Sequence, residues 1–130
     1  MYLYHATFVS NLASIKKYGL GAKQPKNWDI SVDGVVCFAK DPDEAFSFCE
    51  SADEVSDTKY NSGIVVLRVD SRLLMKSKAR AAEVKTDRNN KSNTTLEYSG
   101  IINPYIIDLV TEDGKVYKLM ELKRYPRYEG

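Results

Sequence analysis

The sequence predicts a single α+β domain, residues 1–130, with about six short strands and two N-terminal helices. Short aromatic or β-branched runs recur between turn residues, and the only helix start and stop signatures lie in the first half. The length of 130 residues suits one hydrophobic core and leaves no room for two.

Taken in order, Tyr2 to Ala6 is an aromatic, apolar strand whose end exposes His5. Ser10 then offers an N-cap, Leu12, Ile15 and Tyr18 share one helical face, and Gly19 supplies a left-handed stop. Gly21 to Asp33 carries Pro25 and Trp28 without a clean period and reads as a loop anchored by Trp28. Gly34 to Ala39 is a strand. Asp41-Pro42-Asp43-Glu44 opens a second helix, with Asp41 as N-cap, Pro42 in the first turn and Glu44 placed for a capping box. That helix carries Ala45, Phe46, Phe48 and Cys49 and fades toward the turn at Asn61-Ser62-Gly63. Ile64 to Val69 is nearly all apolar, which fits a central strand buried on both faces. Lys76 to Asn93 is polar, basic and aperiodic and reads as a loop. Strands follow at Thr94 to Tyr98, Tyr105 to Val110 and Val116 to Leu122, the last two joined by a hairpin turn at Glu112-Asp113-Gly114-Lys115.

Composition narrows the function. Hydrophobic residues make up 43% and charged residues 28%, close to ordinary globular chains, and no apolar run approaches a bilayer span. Met1 to His5 shows no secretory pattern, so the expected compartment is the cytoplasm, of the producing or a host cell, with no membrane partner. A net charge of +1 argues against a wholesale electrostatic grip on nucleic acid, although Lys76 to Lys91 and the tyrosine-rich tail Lys123 to Tyr128 are locally basic. That tail suits either stacking on nucleic acid or closing a sheet edge. His5 is the only histidine, and Cys37 and Cys49 form no CxxC pair, so no metal site is expected. Both cysteines read as small buried hydrophobes. GxGxxG, P-loop, GxSxG and HExxH motifs are absent.

Several weak motifs fall in one order: Leu3-Tyr4-His5-Ala6-Thr7, Leu12 to Leu20, Gly34 to Ala39 followed by Asp41 to Ala45, Val65 to Asp70, and Glu97-Tyr98 before Ile101-Ile102-Asn103-Pro104. The series resembles the ADP-ribosyltransferase superfamily up to about Ile107. It is most similar to small members of the histidine-first branch, which holds poly(ADP-ribose) polymerases, diphtheria-like toxins and tRNA 2'-phosphotransferase relatives. The resemblance implies a split-sheet core, NAD as substrate, and transfer of ADP-ribose to a protein or nucleic-acid acceptor, in the manner of a bacterial or phage effector. It places the ribose-holding histidine at His5, the nicotinamide-pairing backbone at Ala6 with Thr7 beside it, and the catalytic glutamate at Glu97. Cys37 and Phe38 fall in the strand that usually carries a tyrosine, with Cys37 at the tyrosine position, and Phe48 matches the aromatic that stacks on nicotinamide. Lys16, Lys17, Lys23 and Lys26 are candidates for the phosphates, and the basic loop for meeting the acceptor. The phosphotransferase branch needs more histidine and arginine than this chain has, and the arginine-first toxins need an arginine at His5. A catalytically silent binding module or inhibitor built on the same fold is the alternative reading.

Read without the series, His5 is a structural histidine, Glu97 an exposed strand glutamate and Phe48 a core aromatic. The chemistry explains the set: loss of nicotinamide leaves an oxocarbenium-like sugar whose charge a carboxylate stabilises, and Glu97 is the candidate for that task.

Overall fold

The computed structural model describes residues 1–21, 35–53, 63–74, 79–81 and 95–129. Within them lie β1 (Tyr2–Phe8), β2 (Val35–Ala39), β3 (Ile64–Asp70), β4 (Ala79–Ala81), β5 (Thr95–Ser99), β6 (Ile107–Val110) and β7 (Val116–Lys118). They form one seven-stranded antiparallel sheet in the order β4-β5-β2-β1-β3-β6-β7, so the first strand of the chain lies at its centre. Helices α1 (Leu12–Tyr18) and α2 (Pro42–Asp53) complete the expected α+β class.

Alternation along each strand separates two cores. On one face Leu3, Phe38, Leu67 and Leu109 pack under Leu12, Ile15 and Ile102. On the other, Ala6, Phe8, Ile64 and Val66 pack under Ala45, Phe46 and Cys49 of α2. β3 serves both cores, which is why its sequence is nearly all apolar: Val65, Val66, Leu67 and Val69 are fully buried. Burying each such side chain contributes about 1.5–3 kcal/mol, so this strand is the backbone of the domain's stability.

The helix ends follow elementary chemistry in part. Asp41 accepts from the backbone N–H of Asp43 at 2.7 Å, and Pro42 opens α2. Gly19 ends α1 at φ 97°, as its position predicts. Ser10, however, is no N-cap: it lies inside a 3-10 turn, Val9–Asn11, that precedes α1. Phe8, still extended, caps that turn, and α1 follows from Asn11, whose backbone is already helical.

Other expectations are corrected. β1 runs on through Thr7 and Phe8, because all seven of its residues pair with β3, so His5 stands in mid-strand and not at an end. The segment read as a basic loop contains β4, an edge strand too short to show a period, paired with β5 from Ala79↔Tyr98 to Ala81↔Leu96. The strand expected from Tyr105 begins only at Ile107, after a 3-10 turn at Pro104–Ile106. β7 stops at Lys118, and the chain turns at Leu119–Glu121 to bury Leu119. The hairpin turn itself is as expected, with Gly114 at φ 87°. Trp28 and the rest of 22–34 lie outside the described residues.

Gly21 shows how closely the chain folds back on the end of β5. A Cβ there falls 2.5 Å from the Gly100 carbonyl oxygen and 2.8 Å from Val36 Cγ2, on a backbone at φ 90°. Gly21→Ala is therefore expected to cost about 2–3 kcal/mol, read as a lower denaturation midpoint at unchanged m-value.

Candidate functional site

The sheet is not uniformly zipped. β1 pairs with β3 at seven positions, but with β2 at only one, Tyr4↔Ala39. From His5 onward the two central strands part. At the point of parting the His5 ring takes the place of a ladder bond: Nδ1 lies 2.9 Å from the carbonyl oxygen of Cys37. The ring also meets Phe38 edge-on, with centroids 6.1 Å apart at 70°. A carbonyl only accepts, so Nδ1 carries the proton and a neutral ring presents Nε2 as an acceptor. The half-buried imidazole is also poorly solvated, and this burial pushes its pKa below the ordinary value, against a smaller opposing effect of the Cys37 carbonyl.

Cys37 and Glu97 are direct cross-strand partners in β2 and β5. Val36, Phe38 and Tyr98 alternate with them into the α1-side core, so Cys37 and Glu97 share the α2 side of the sheet. There α2 packs over β1 and β3, and among the described residues no apolar cluster covers this part of β2 and β5. Cys37 is consequently exposed, which corrects its reading as a buried hydrophobe, whereas Cys49 is buried beneath α2 as expected. Glu97 is half-buried rather than exposed. His5 alternates with Tyr4 and Ala6, and so shares the α1 side with Leu3 and Thr7. The predicted histidine and glutamate thus belong to opposite faces of the sheet, on either side of the β1–β2 ladder that is paired only at Tyr4↔Ala39.

The remaining predicted residues divide. Ala6 is buried under α2 and Phe38 in the opposite core, 6% and 1% exposed, so neither side chain is accessible. Phe48 is not a core aromatic: it is 36% exposed. Helical spacing sets it on the flank of α2 opposite Asp43, Ser47 and Glu50. Lys16 is already engaged, donating to Leu122 O at 2.7 Å and Tyr125 Oη at 2.9 Å, so it serves the fold and not a phosphate. Lys17 lies 5.2 Å from the centroid of the Tyr18 ring. Lys23 and Lys26 lie outside the described residues.

The tail is likewise occupied. Tyr128 N–H donates to Ile64 O at 2.7 Å, its hydroxyl donates to Asp43, and its ring packs on Phe46. Burial, with the Asp43 hydrogen bond next, raises the Tyr128 pKa and keeps the hydroxyl protonated. Tyr128 thus packs inward and bonds the β3 backbone at Ile64, in keeping with a tail that closes the sheet, although it forms no strand, while Lys123, Arg124 and Arg127 stay exposed. A cavity of about 460 Å³ lies beside it, lined by Asp43, Phe46, Ser47, Glu50, Glu112, Tyr128 and Glu129. Its carboxylates make it hostile to a phosphate-bearing ligand, and it sits on the flank of α2 away from Phe48.

Two residues that matter to this region, Asn11 and Tyr128, carry no site signature in the sequence. Asn11 donates to Thr7 Oγ1 at 3.1 Å, and the spacing of four residues across a turn is the one available signal. No group of three or more His, Cys, Asp or Glu side chains suited to a metal occurs among the described residues. Among them, no helix is long and apolar enough to cross a membrane.

The lowered His5 pKa has a sign that can be checked. In the unfolded chain the imidazole titrates near 6.5, in the folded chain lower. Between those values the unfolded state holds more protons, so this contribution to stability is complete above about 6.5 and is lost as pH falls toward the folded value. The Tm of the wild type is expected to drop more from about pH 7 to about pH 5 than that of His5→Gln. Parallel curves would exclude a buried neutral ring.

No protein-family model matches the chain, and searches of curated proteins and of solved structures give no significant match.

Proposed function

We propose that the chain is a mono-ADP-ribosyltransferase that moves ADP-ribose from NAD to a protein or nucleic-acid acceptor, acting in the cytoplasm of the producing or a host cell as a bacterial or phage effector. The observation that carries this reading is the direct Cys37↔Glu97 pairing beside the opening that His5 borders, in the same order as the sequence motifs. The parting of β1 from β2 supports reading the sheet as the split core that the resemblance implies.

In this reading the ribose sits at the opening. Neutral His5 accepts a hydrogen bond from a ribose hydroxyl at Nε2, since Nδ1 is committed to Cys37 O. The backbone of Ala6 pairs with the nicotinamide amide, and Phe48 closes over the heterocycle from the flank of α2. The N-glycosidic bond breaks and nicotinamide departs with the bonding electrons. Glu97 stabilises the positive charge that develops on the sugar. The nucleophilic atom of the acceptor then bonds to the anomeric carbon, and its proton passes to the Glu97 carboxylate.

One observation favours a silent binding module instead: Cys37, exposed and opposite Glu97, offers no aromatic ring where the family carries tyrosine. The deciding experiment incubates the purified chain and Glu97→Gln with labelled NAD and cell lysate, and scores label transfer together with nicotinamide release. Label on a defined band that the variant does not produce supports the transferase. A folded wild type that yields neither label nor nicotinamide sinks it.

A further inference from the structure

Thr7 and Asn11 are the buried polar residues among the described core, 6% and 7% exposed. Asn11 Nδ2 donates to Thr7 Oγ1 at 3.1 Å. That bond fixes the role of the hydroxyl. Its oxygen is the acceptor, so its own proton must go elsewhere, and among the described residues it meets no acceptor. Buried donors are almost always satisfied, and one that is not calls for a partner outside the fold.

The position says which partner. Thr7 lies two residues beyond His5 on the same side of β1, on the stretch that β2 no longer pairs. Asn11 ends the 3-10 turn that follows β1, and that turn brings its amide back onto Thr7. Resting on the NAD reading above, we propose that Asn11 is a positioning residue: by donating to Thr7 it turns the threonine hydroxyl to offer its proton to a ribose or phosphate oxygen of the dinucleotide in the opening. An amide at this position sets the polarity of the hydroxyl. A carboxylate of the same shape, as in Asn11→Asp, reverses it, because an ionised carboxylate has no donor and takes the Thr7 proton for itself.

The test measures NAD affinity by calorimetry, with ADP-ribose and nicotinamide mononucleotide as separate arms that locate the oxygen, and follows nicotinamide release for KM and kcat. Asn11→Asp and Thr7→Val are each expected to weaken NAD by about three- to tenfold, the range of one neutral hydrogen bond, while Thr7→Ser stays within about twofold of wild type. For Asn11→Asp the loss is expected in KM, with kcat at saturation little changed. The double variant is expected to be no weaker than Thr7→Val alone, because the effect of Asn11 on the ligand passes through the Thr7 hydroxyl. Wild-type affinity in Asn11→Asp, or additive losses in the double variant, overturns the proposal while leaving the NAD site standing. A wild type that neither binds NAD nor releases nicotinamide removes the underlying reading as well. Should Asn11→Asp not fold, Thr7→Val decides: unchanged affinity means that the hydroxyl is satisfied by a buried water and not by ligand.

Discussion

On the proposed transferase reading, Glu97→Gln is expected to reduce NAD-dependent transfer by about 10²–10³-fold, the loss typical of removing one preorganised charge-stabilising group from an active site. The same change is expected to leave stability within about 0.5 kcal/mol. Both halves follow from the position. Glu97 is a half-buried residue of β5, held in ladders to β2 and β4, and its cross-strand partners are Cys37 and Arg80. Its side chain belongs to neither hydrophobic core, so an isosteric amide keeps the strand and the packing. What it cannot keep is the negative charge, and the transition state of nicotinamide departure demands a charge rather than a shape. The result to seek is a collapse of kcat/KM at unchanged Tm. Comparable losses in both would mark Glu97 as structural, and no loss in either would leave the binding-module reading. On the proposed transferase reading, Cys37→Tyr gives a companion measurement, because it places an aromatic group opposite Glu97 at an exposed position and is expected to raise kcat/KM.

What sequence makes legible is decided by how local the determining physics is. Asp41 and Pro42 announce α2 because capping acts within one turn, and Gly19 ends α1 for the same reason. β3 is legible as central because burial on both faces forces an unbroken apolar run. The failures depend on partners distant in the chain. Whether Cys37 is covered depends on where α2 lies across the sheet, and α2 packs mainly on β1 and β3. β4 has three residues and no period, and it is a strand only because β5 lies beside it. The candidate site is readable as an order of motifs, but not its geometry: no pattern tells that His5 and Glu97 belong to opposite faces, nor that β1 and β2 part between them.

The tail carries the largest expected effect on stability. Tyr128→Ala removes a ring that is 5% exposed and packed 5.3 Å from Phe46, in a core that also holds Phe8, Ile64 and Val66. Truncating a buried aromatic to alanine costs about 3–5 kcal/mol. In a domain of this size each kcal/mol lowers Tm by roughly 3–5 °C, so a fall of about 10 °C or more is expected. Tyr128→Phe keeps the ring and loses only the hydrogen bond to Asp43, whose exposed carboxylate turns to water, so it is expected to cost about 0.5–1 kcal/mol. The contrast separates two roles for the basic, tyrosine-rich end of the chain. A nucleic-acid arm would lose affinity on Tyr128→Ala and keep its Tm, since stacking tyrosines must be free to meet bases. A strap that fastens α2 to β3 does the reverse. The backbone bond from Tyr128 to Ile64 and the ring against Phe46 tie one flank of α2, and the opposite flank carries Phe48. Loosening the strap is therefore expected to weaken NAD binding as a consequence of lost order in α2, and to do so less at low temperature, where the variant is still folded.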